Sequence, residues 1–262
     1  MADSRGKSSI SSTPCVKFLA ESLKREKNRL YGRKQTRALS DIKQASVDLL
    51  LSKLQPDRDK TKAASRITIE ELFGQPVRPV WYEIGFGSGE HLIGLMKQHP
   101  DIYMIGAEPF INGMANFLHQ FEKDKLPESH VRVWMDDAIL LAERLPDSCL
   151  DRMYVLNPDP WPKRRHHKRR IINQENLDTF ARILKPGGIL VMATDVSDLA
   201  EWMVTEASLH PQFRWTAQAA DDWRTIPHDW IPTRYETKGI GKGRTQSYLF
   251  FERILPLSLK NR

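Results

Sequence analysis

Two stretches of this chain place chemically capable side chains at short, regular spacing. In Asn157-Pro158-Asp159-Pro160-Trp161-Pro162-Lys163 an amide, a carboxylate and an indole share a proline-rich segment, and six Lys or Arg residues fall within the eight positions from Lys163 to Arg170. The flanking prolines restrict the backbone, so Asp159 and Trp161 are expected to hold their directions. Trp161 is read either as a stacking surface for a base or as a core anchor. A run of cations immediately after a pocket motif suits a phosphate backbone better than a solvated face, and Lys168, Arg169 and Arg170 are expected to grip it. His166 and His167 have no Cys or acidic partner at ligand spacing, so no metal site is expected.

The second stretch is Glu83-Ile84-Gly85-Phe86-Gly87-Ser88-Gly89, with Glu108 about twenty residues on. Glycines at alternate positions let a backbone turn tightly and lie flat against a ligand, and a carboxylate at that distance can accept from both ribose hydroxyls. The dinucleotide fingerprint needs G-x-G-x-x-G so that a helix start can hold a pyrophosphate. The G-x-G-x-G spacing here favours S-adenosylmethionine, which has no phosphate. Asp136-Asp137-Ala138 then offers an acceptor for the adenine amino group; one of the two acids can instead cap a helix, and Asp137 is preferred as the ligand. Asp195, after Thr194, is either a functional group at a strand end or the cap of a helix starting near Ser197. Thr233 to Glu236, close to Gly239, Gly241 and Gly243, reads as a loop that closes over a base or as a surface turn.

These residues need a frame that brings them together. Val80–Ile84, Tyr103–Ala107, Val131–Trp134, Met153–Leu156 and Ile189–Ala193 are short apolar runs, each followed by helical spacing. That alternation predicts an α/β fold, a parallel sheet with helices on both faces and ligands beyond the strands' carboxyl ends. Gln246–Arg253 is a late strand with no helix after it, suited to antiparallel insertion beside Phe213–Gln218. Val47, Leu50, Leu51 and Leu54 fall on one face of a helix expected over Ser40–Leu54, and residues 55–66 read as a polar linker.

At 262 residues, 40% hydrophobic and 28% charged, the chain suits one catalytic-size domain, and its net charge of +7 favours a polyanionic partner. Residues 1–28 are expected to be a disordered basic tail, 29–66 a basic lead-in and helix, 67–255 the catalytic domain and 256–262 a second tail. Cys15 and Cys149 cannot build a disulfide framework. The N-terminus has no apolar signal core and no apolar run is long enough to span a bilayer, so a cytoplasmic location without membrane attachment is expected. The sequence does not reveal oligomeric state.

The motifs, taken in order, resemble one family. Glu83 to Gly89, Gly106-Ala107-Glu108, Asp137-Ala138, Pro158-Asp159-Pro160-Trp161-x-Lys163, His167 to Arg170, Ala193-Thr194-Asp195 and Thr233 to Glu236 occur as in the bacterial tRNA (guanine-N7-)-methyltransferases, over about Arg29 to Arg253. The resemblance implies a Rossmann-like class I methyltransferase fold, with a seven-stranded, mostly parallel sheet and an antiparallel last strand. It also implies that Glu83, Gly85, Gly87, Glu108, Asp137 and Asp159 line the S-adenosylmethionine and reaction site. Lys163, Asp195, Thr233, Arg234, Tyr235 and Glu236 would contact tRNA, whose variable loop carries the modified guanine. Asn157 stands where the family usually has an aromatic residue, and Ala107 where it more often has a branched one.

Guanine N7 already presents a lone pair, so methyl transfer to it needs positioning rather than a general base. A carboxylate at Asp159 would offset the charge that moves onto the purine and read its Watson–Crick edge. Two other enzyme readings remain: an exocyclic-amine methyltransferase, suggested by the similarity of the Asn157 motif to Asn-Pro-Pro-aromatic, and a nicotinamide dehydrogenase, disfavoured by the glycine spacing. A non-catalytic RNA-binding protein on the same scaffold is a further alternative.

Overall fold

The computed structural model describes Leu30, residues 35–74 and residues 78–255. The expected tails at 1–28 and 256–262 and the Tyr31-Gly32-Arg33 lead-in lie outside the described residues. Seven strands form one sheet: β1 (Val80–Ile84), β2 (Tyr103–Ala107), β3 (Val131–Trp134), β4 (Leu150–Leu156), β5 (Leu184–Thr194), β6 (Phe213–Trp215) and β7 (Ser247–Arg253). Their order is β3-β2-β1-β4-β5-β7-β6, with β1 to β5 parallel and β7 antiparallel to both β5 and β6. The expected mostly parallel sheet with an antiparallel final strand is therefore present.

β1 and β2 are buried along their whole length, on both faces, as central strands of a parallel sheet covered by helices must be. On one face Trp81, Met104, Val133, Tyr154 and Val191 pack with α1 (Asp41–Leu54), α4 (Glu90–Gln98) and α5 (Ile111–Lys123). On the other, Tyr82, Ile105, Met153, Val155 and Leu190 pack with α3 (Ile69–Phe73), α6 (Ala138–Arg144), α7 (Gln174–Ile183) and α8 (Ser197–Leu209). Helix α1 starts one residue after Ser40 and buries Val47, Leu50 and Leu54 beside Phe117, Leu118 and Phe121. The helix is thus part of the same core.

The stretch 55–66 is not a plain linker. It contains α2 (Arg58–Ala63), whose cap Asp57 accepts from the Asp59 and Lys60 amides. Arg58 and Lys62 both pair with Asp136. A helix anchored by charges rather than an apolar stripe has the composition of a linker, which is why periodicity missed it.

Register places the site. Glu83 lies opposite Gly106 and Tyr154, Ile84 opposite Ala107 and Val155, and Leu156 opposite Ala193. The residues that follow, Gly85, Glu108, Asn157 and Asp195, therefore emerge together at the carboxyl edge. The order reverses between β1 and β4, the switch point where open α/β sheets hold ligands.

Candidate active site

A cleft of about 500 Å³ opens at that switch point. One wall is Glu83, Gly85, Phe86, Gly87, Ser88 and Glu90; the other is Leu156 and Asn157 with Thr233, Arg234, Tyr235 and Lys238. The glycine loop is built as its spacing predicts. Gly85 and Gly87 have φ of 73° and 59°, and a Cβ at either would meet no protein atom within 4 Å. These glycines thus serve a left-handed backbone and leave room for a ligand rather than for packing. Gly89, with φ 82°, differs: a Cβ there would lie 2.5 Å from Phe117.

Glu108 supports this loop from behind. Its Oε2 accepts from the Gly87 amide (2.7 Å) and its Oε1 from the Phe110 amide (2.9 Å). A carboxylate has about four acceptor positions, so two amide bonds leave capacity for hydroxyl donors. Burial pushes its pKa above the ordinary carboxylate range, partly opposed by the Phe110 and Gly87 amides, and the charges of Glu83 and Asp159 push the same way as burial. Glu83 is itself buried, with His91 Nδ1 3.0 Å from its Oε2. Asp137 caps α6 by accepting from the Ile139 amide (2.9 Å), while its main-chain oxygen accepts from the Trp134 indole (2.9 Å). Of the two neighbouring acids, Asp137, preferred as the ligand from sequence, is the helix cap, and Asp136 is the ion-pair partner of α2.

On the opposite wall, Asn157 has φ 48°. Its amide donates to Ala193 O (2.7 Å) and its side-chain oxygen accepts from Gln246 (3.0 Å). Asn, like Asp, tolerates left-handed backbone better than most non-glycine types, which accounts for its presence at this sharp exit from β4. Asp159 lies exposed just beyond this turn. Trp161 also has positive φ (45°), and its ring carries the Arg169 guanidinium 5.0 Å from its centroid and His166 edge-on at 6.0 Å. It is half-buried, so the core-anchor reading does not describe it fully.

The basic run divides in two. Lys163 is exposed just before a short 3-10 helix, Arg164–Arg169, on which Arg164, Arg165 and Lys168 are exposed as well. Arg170, expected to grip phosphate with them, is only 1% exposed. It donates to Pro160 O (2.9 Å), pairs with Asp198 and lies over Trp202. A guanidinium satisfied this way fastens the Asp159 loop to α8 and is not available to a polyanion.

Asp195 does not cap α8, whose N-cap Val196 makes no side-chain cap bond. It is held by Arg244, with Nη1 2.7 Å from Oδ2, and by the Tyr235 hydroxyl at 3.3 Å from Oδ1. Arg244 also donates to the Tyr235 hydroxyl (3.0 Å). After the short helix α9 (Asp221–Arg224), Thr233 caps α10 (Arg234–Ile240) by accepting from the Glu236 amide (3.1 Å), so the expected mobile loop is a helix start. Glu236 turns inward: it is 1% exposed and accepts from the Trp230 indole (3.0 and 2.9 Å) and the Tyr248 hydroxyl (2.7 Å). Burial and the adjacent Glu236 carboxylate together push the Tyr248 hydroxyl pKa well up. Trp230, His91, Gln246 and Arg244 were not anticipated; Thr-x-x-Glu as a capping signature was the one local signal for this helix. Among the described residues no group of His, Cys, Asp or Glu could hold a metal ion.

Strand order, glycine loop and an acid after β2 define a class I methyltransferase. Residues 77–249 match the methyltransferase family model Methyltransf_4. A tRNA (guanine-N(7)-)-methyltransferase of Chelativorans sp. is 42% identical over 86% of this chain and 94% of its own length. One from Azorhizobium caulinodans is 49% identical over 70% and 79%. Among solved structures, the aminoglycoside resistance methyltransferase NpmB1 gives a TM-score of 0.48 at 18% identity, over 71% of this chain and 93% of that one. The chain belongs to the tRNA (guanine-N(7)-)-methyltransferase family and is an enzyme. No helix among the described residues is long and apolar enough to cross a membrane.

Proposed function

We propose that this enzyme transfers a methyl group from S-adenosylmethionine to N7 of a guanine in the tRNA variable loop. The observation that carries the donor half is the glycine wall: two left-handed glycines with open space at their Cβ positions, backed by a carboxylate bonded to the loop itself. A nucleoside with a ribose diol and no phosphate fits that wall. Glu108 would accept from the diol, Gly85 and Gly87 would lie flat against the ligand, and Glu83 and Asp137 would line its two ends. When bound, S-adenosylmethionine supplies an electrophilic methyl group on a sulfonium.

The chain's own task is alignment and charge. Guanine N7 needs no proton removed, so no general base is required. Asp159, exposed two residues beyond Asn157 of the cleft wall and near enough for its charge to act on Glu108, would accept from the guanine Watson–Crick edge and offset charge developing on the purine. Tyr235, half-exposed and fixed by Asp195 and Arg244, offers a ring at the mouth. Lys163, Arg164, Arg165, Lys168 and Arg234 present exposed cations to the RNA backbone. Thr233 and Glu236 serve by holding the start of α10. The test is nucleoside mapping of bulk tRNA after incubation with the protein and S-adenosylmethionine. The expected product is 7-methylguanosine in the variable loop; a methylated exocyclic amine, or no methylation, would reject the reading.

A further inference from the structure

The two walls of the cleft meet at α4, the helix that begins where the glycine loop ends. The segment leading into α10 is keyed to this helix at two adjacent points. The Trp230 ring lies 5.6 Å from that of His91, which is bonded to Glu83 on the donor side. The same indole donates to Glu236 in the first turn of α10. One residue on, Ile231 sits directly over Gly94: a Cβ at 94 would lie 2.7 Å from Ile231 Cγ2 and 2.8 Å from its Cδ1. Neither distance admits a side chain at position 94. Ile231 is β-branched, with Cγ2 fixed to Cβ, so it makes room only by changing χ1 or moving its backbone. Gly94 has no left-handed backbone to explain it, and glycine is a poor former of helix interiors. Close approach of the α10 segment is the reason that remains.

We infer that Gly94 and Ile231, with His91 and Trp230 beside them, form a seat that sets the distance between the substrate wall and the donor wall. These are positioning residues that touch neither ligand. They act through Thr233, Arg234 and Tyr235, three residues further along the chain, and so fix where the target base stands relative to the methyl donor. The inference rests on the tRNA reading above.

The test is a double-mutant cycle in the full chain, Gly94→Ala, Ile231→Ala and both together. It reads KM and kcat with tRNA, S-adenosylmethionine affinity and thermal midpoint. Gly94→Ala is expected to raise KM for tRNA or lower kcat on the order of tenfold, because small misplacements of a bound substrate cost that much or more. Donor affinity should hold, and the thermal midpoint should change little, because the gain of alanine in a helix interior offsets part of the strain against Ile231. Ile231→Ala on that background should recover most of the loss by making room. Unchanged kinetics in Gly94→Ala, strictly additive losses in the cycle, or a matching loss of donor affinity would each overturn the seat. Wild-type protein that forms no 7-methylguanosine would instead reject the tRNA reading itself.

Discussion

The donor wall and the substrate wall are built by different means. The donor wall is main chain: positive-φ glycines, a carboxylate on two amides and a capping Asp, drawn from segments within about sixty residues of one another. The substrate wall is side chain on side chain, with Asp195 to Arg244 and Tyr235, Asn157 to Gln246, and Glu236 to Trp230 and Tyr248. Amides are present whatever the sequence, so recognising a donor common to many enzymes needs little beyond glycine and one acid. Holding one base of a folded RNA needs directed side chains, and each of these needs its own support.

Perturbations at three places would break or sharpen this contrast. The largest effect is expected for Asp159→Asn, which keeps shape and removes charge: turnover should fall on the order of a hundredfold, the scale of losing one electrostatic contact to a developing charge. Single-turnover methylation at saturating donor measures it. Full turnover with unchanged donor affinity would remove Asp159 from the reaction.

Next is the donor wall. Gly87→Ala forces a side chain into left-handed backbone at about 1–2 kcal/mol and fills ligand space, so donor affinity should drop about tenfold while tRNA affinity holds. Calorimetric titration with S-adenosylhomocysteine separates the two. The same titration against pH tests Glu108. Ribose hydroxyls donate to the charged carboxylate, and burial raises its pKa. Affinity should therefore be full above that raised value and be lost as pH falls through it, beginning at higher pH than for an ordinary carboxylate. Glu108→Gln should lower affinity and flatten this acid limb. For folding the sign is opposite: the folded state holds the proton more tightly than the unfolded chain, so Glu108 favours folding at acid pH and this contribution is lost as pH rises through the raised value.

The smallest effects on methyl transfer should come from the cationic run, and its members should differ in kind. Lys168→Ala should flatten the salt dependence of tRNA binding by about one unit of slope and leave thermal stability unchanged. Arg170→Ala, which empties a buried site bonded to Pro160 and Asp198, should cost about 2 kcal/mol of stability. Equal salt slopes and equal melting for the two variants would mean that the run is one surface after all.

Much of the frame was legible because strand periodicity and alternate glycines are local patterns. β1, β2 and β3 fall where the apolar runs end, and β7 pairs beside β6 as its lack of a following helix suggests. β4 and β5 begin earlier than their apolar runs, at Leu150 and Leu184, where Asp151 and Lys185 pair across the two strands. Asn157 was unexplained from sequence because its reason is a backbone angle, φ 48°, that no residue list displays. Arg170 read as one of six equal cations because burial is not written in charge.

By itself, then, the sequence determined the layered α/β fold, the glycine wall with Glu108 behind it, and the placement of Asp159 and the cations just after β4. These depend on residue type and on spacing within one supersecondary unit. Tertiary structure alone decided which acid caps α6, which arginine of the run turns inward, why Glu236 supports the substrate wall from within, and how Ile231 rests on Gly94. Asp137 is the cap because Arg58 and Lys62, far back in the chain, engage Asp136, while the burial of Arg170 and Glu236 and the close approach of Ile231 to Gly94 depend on which groups lose water together, something that only the folded chain specifies.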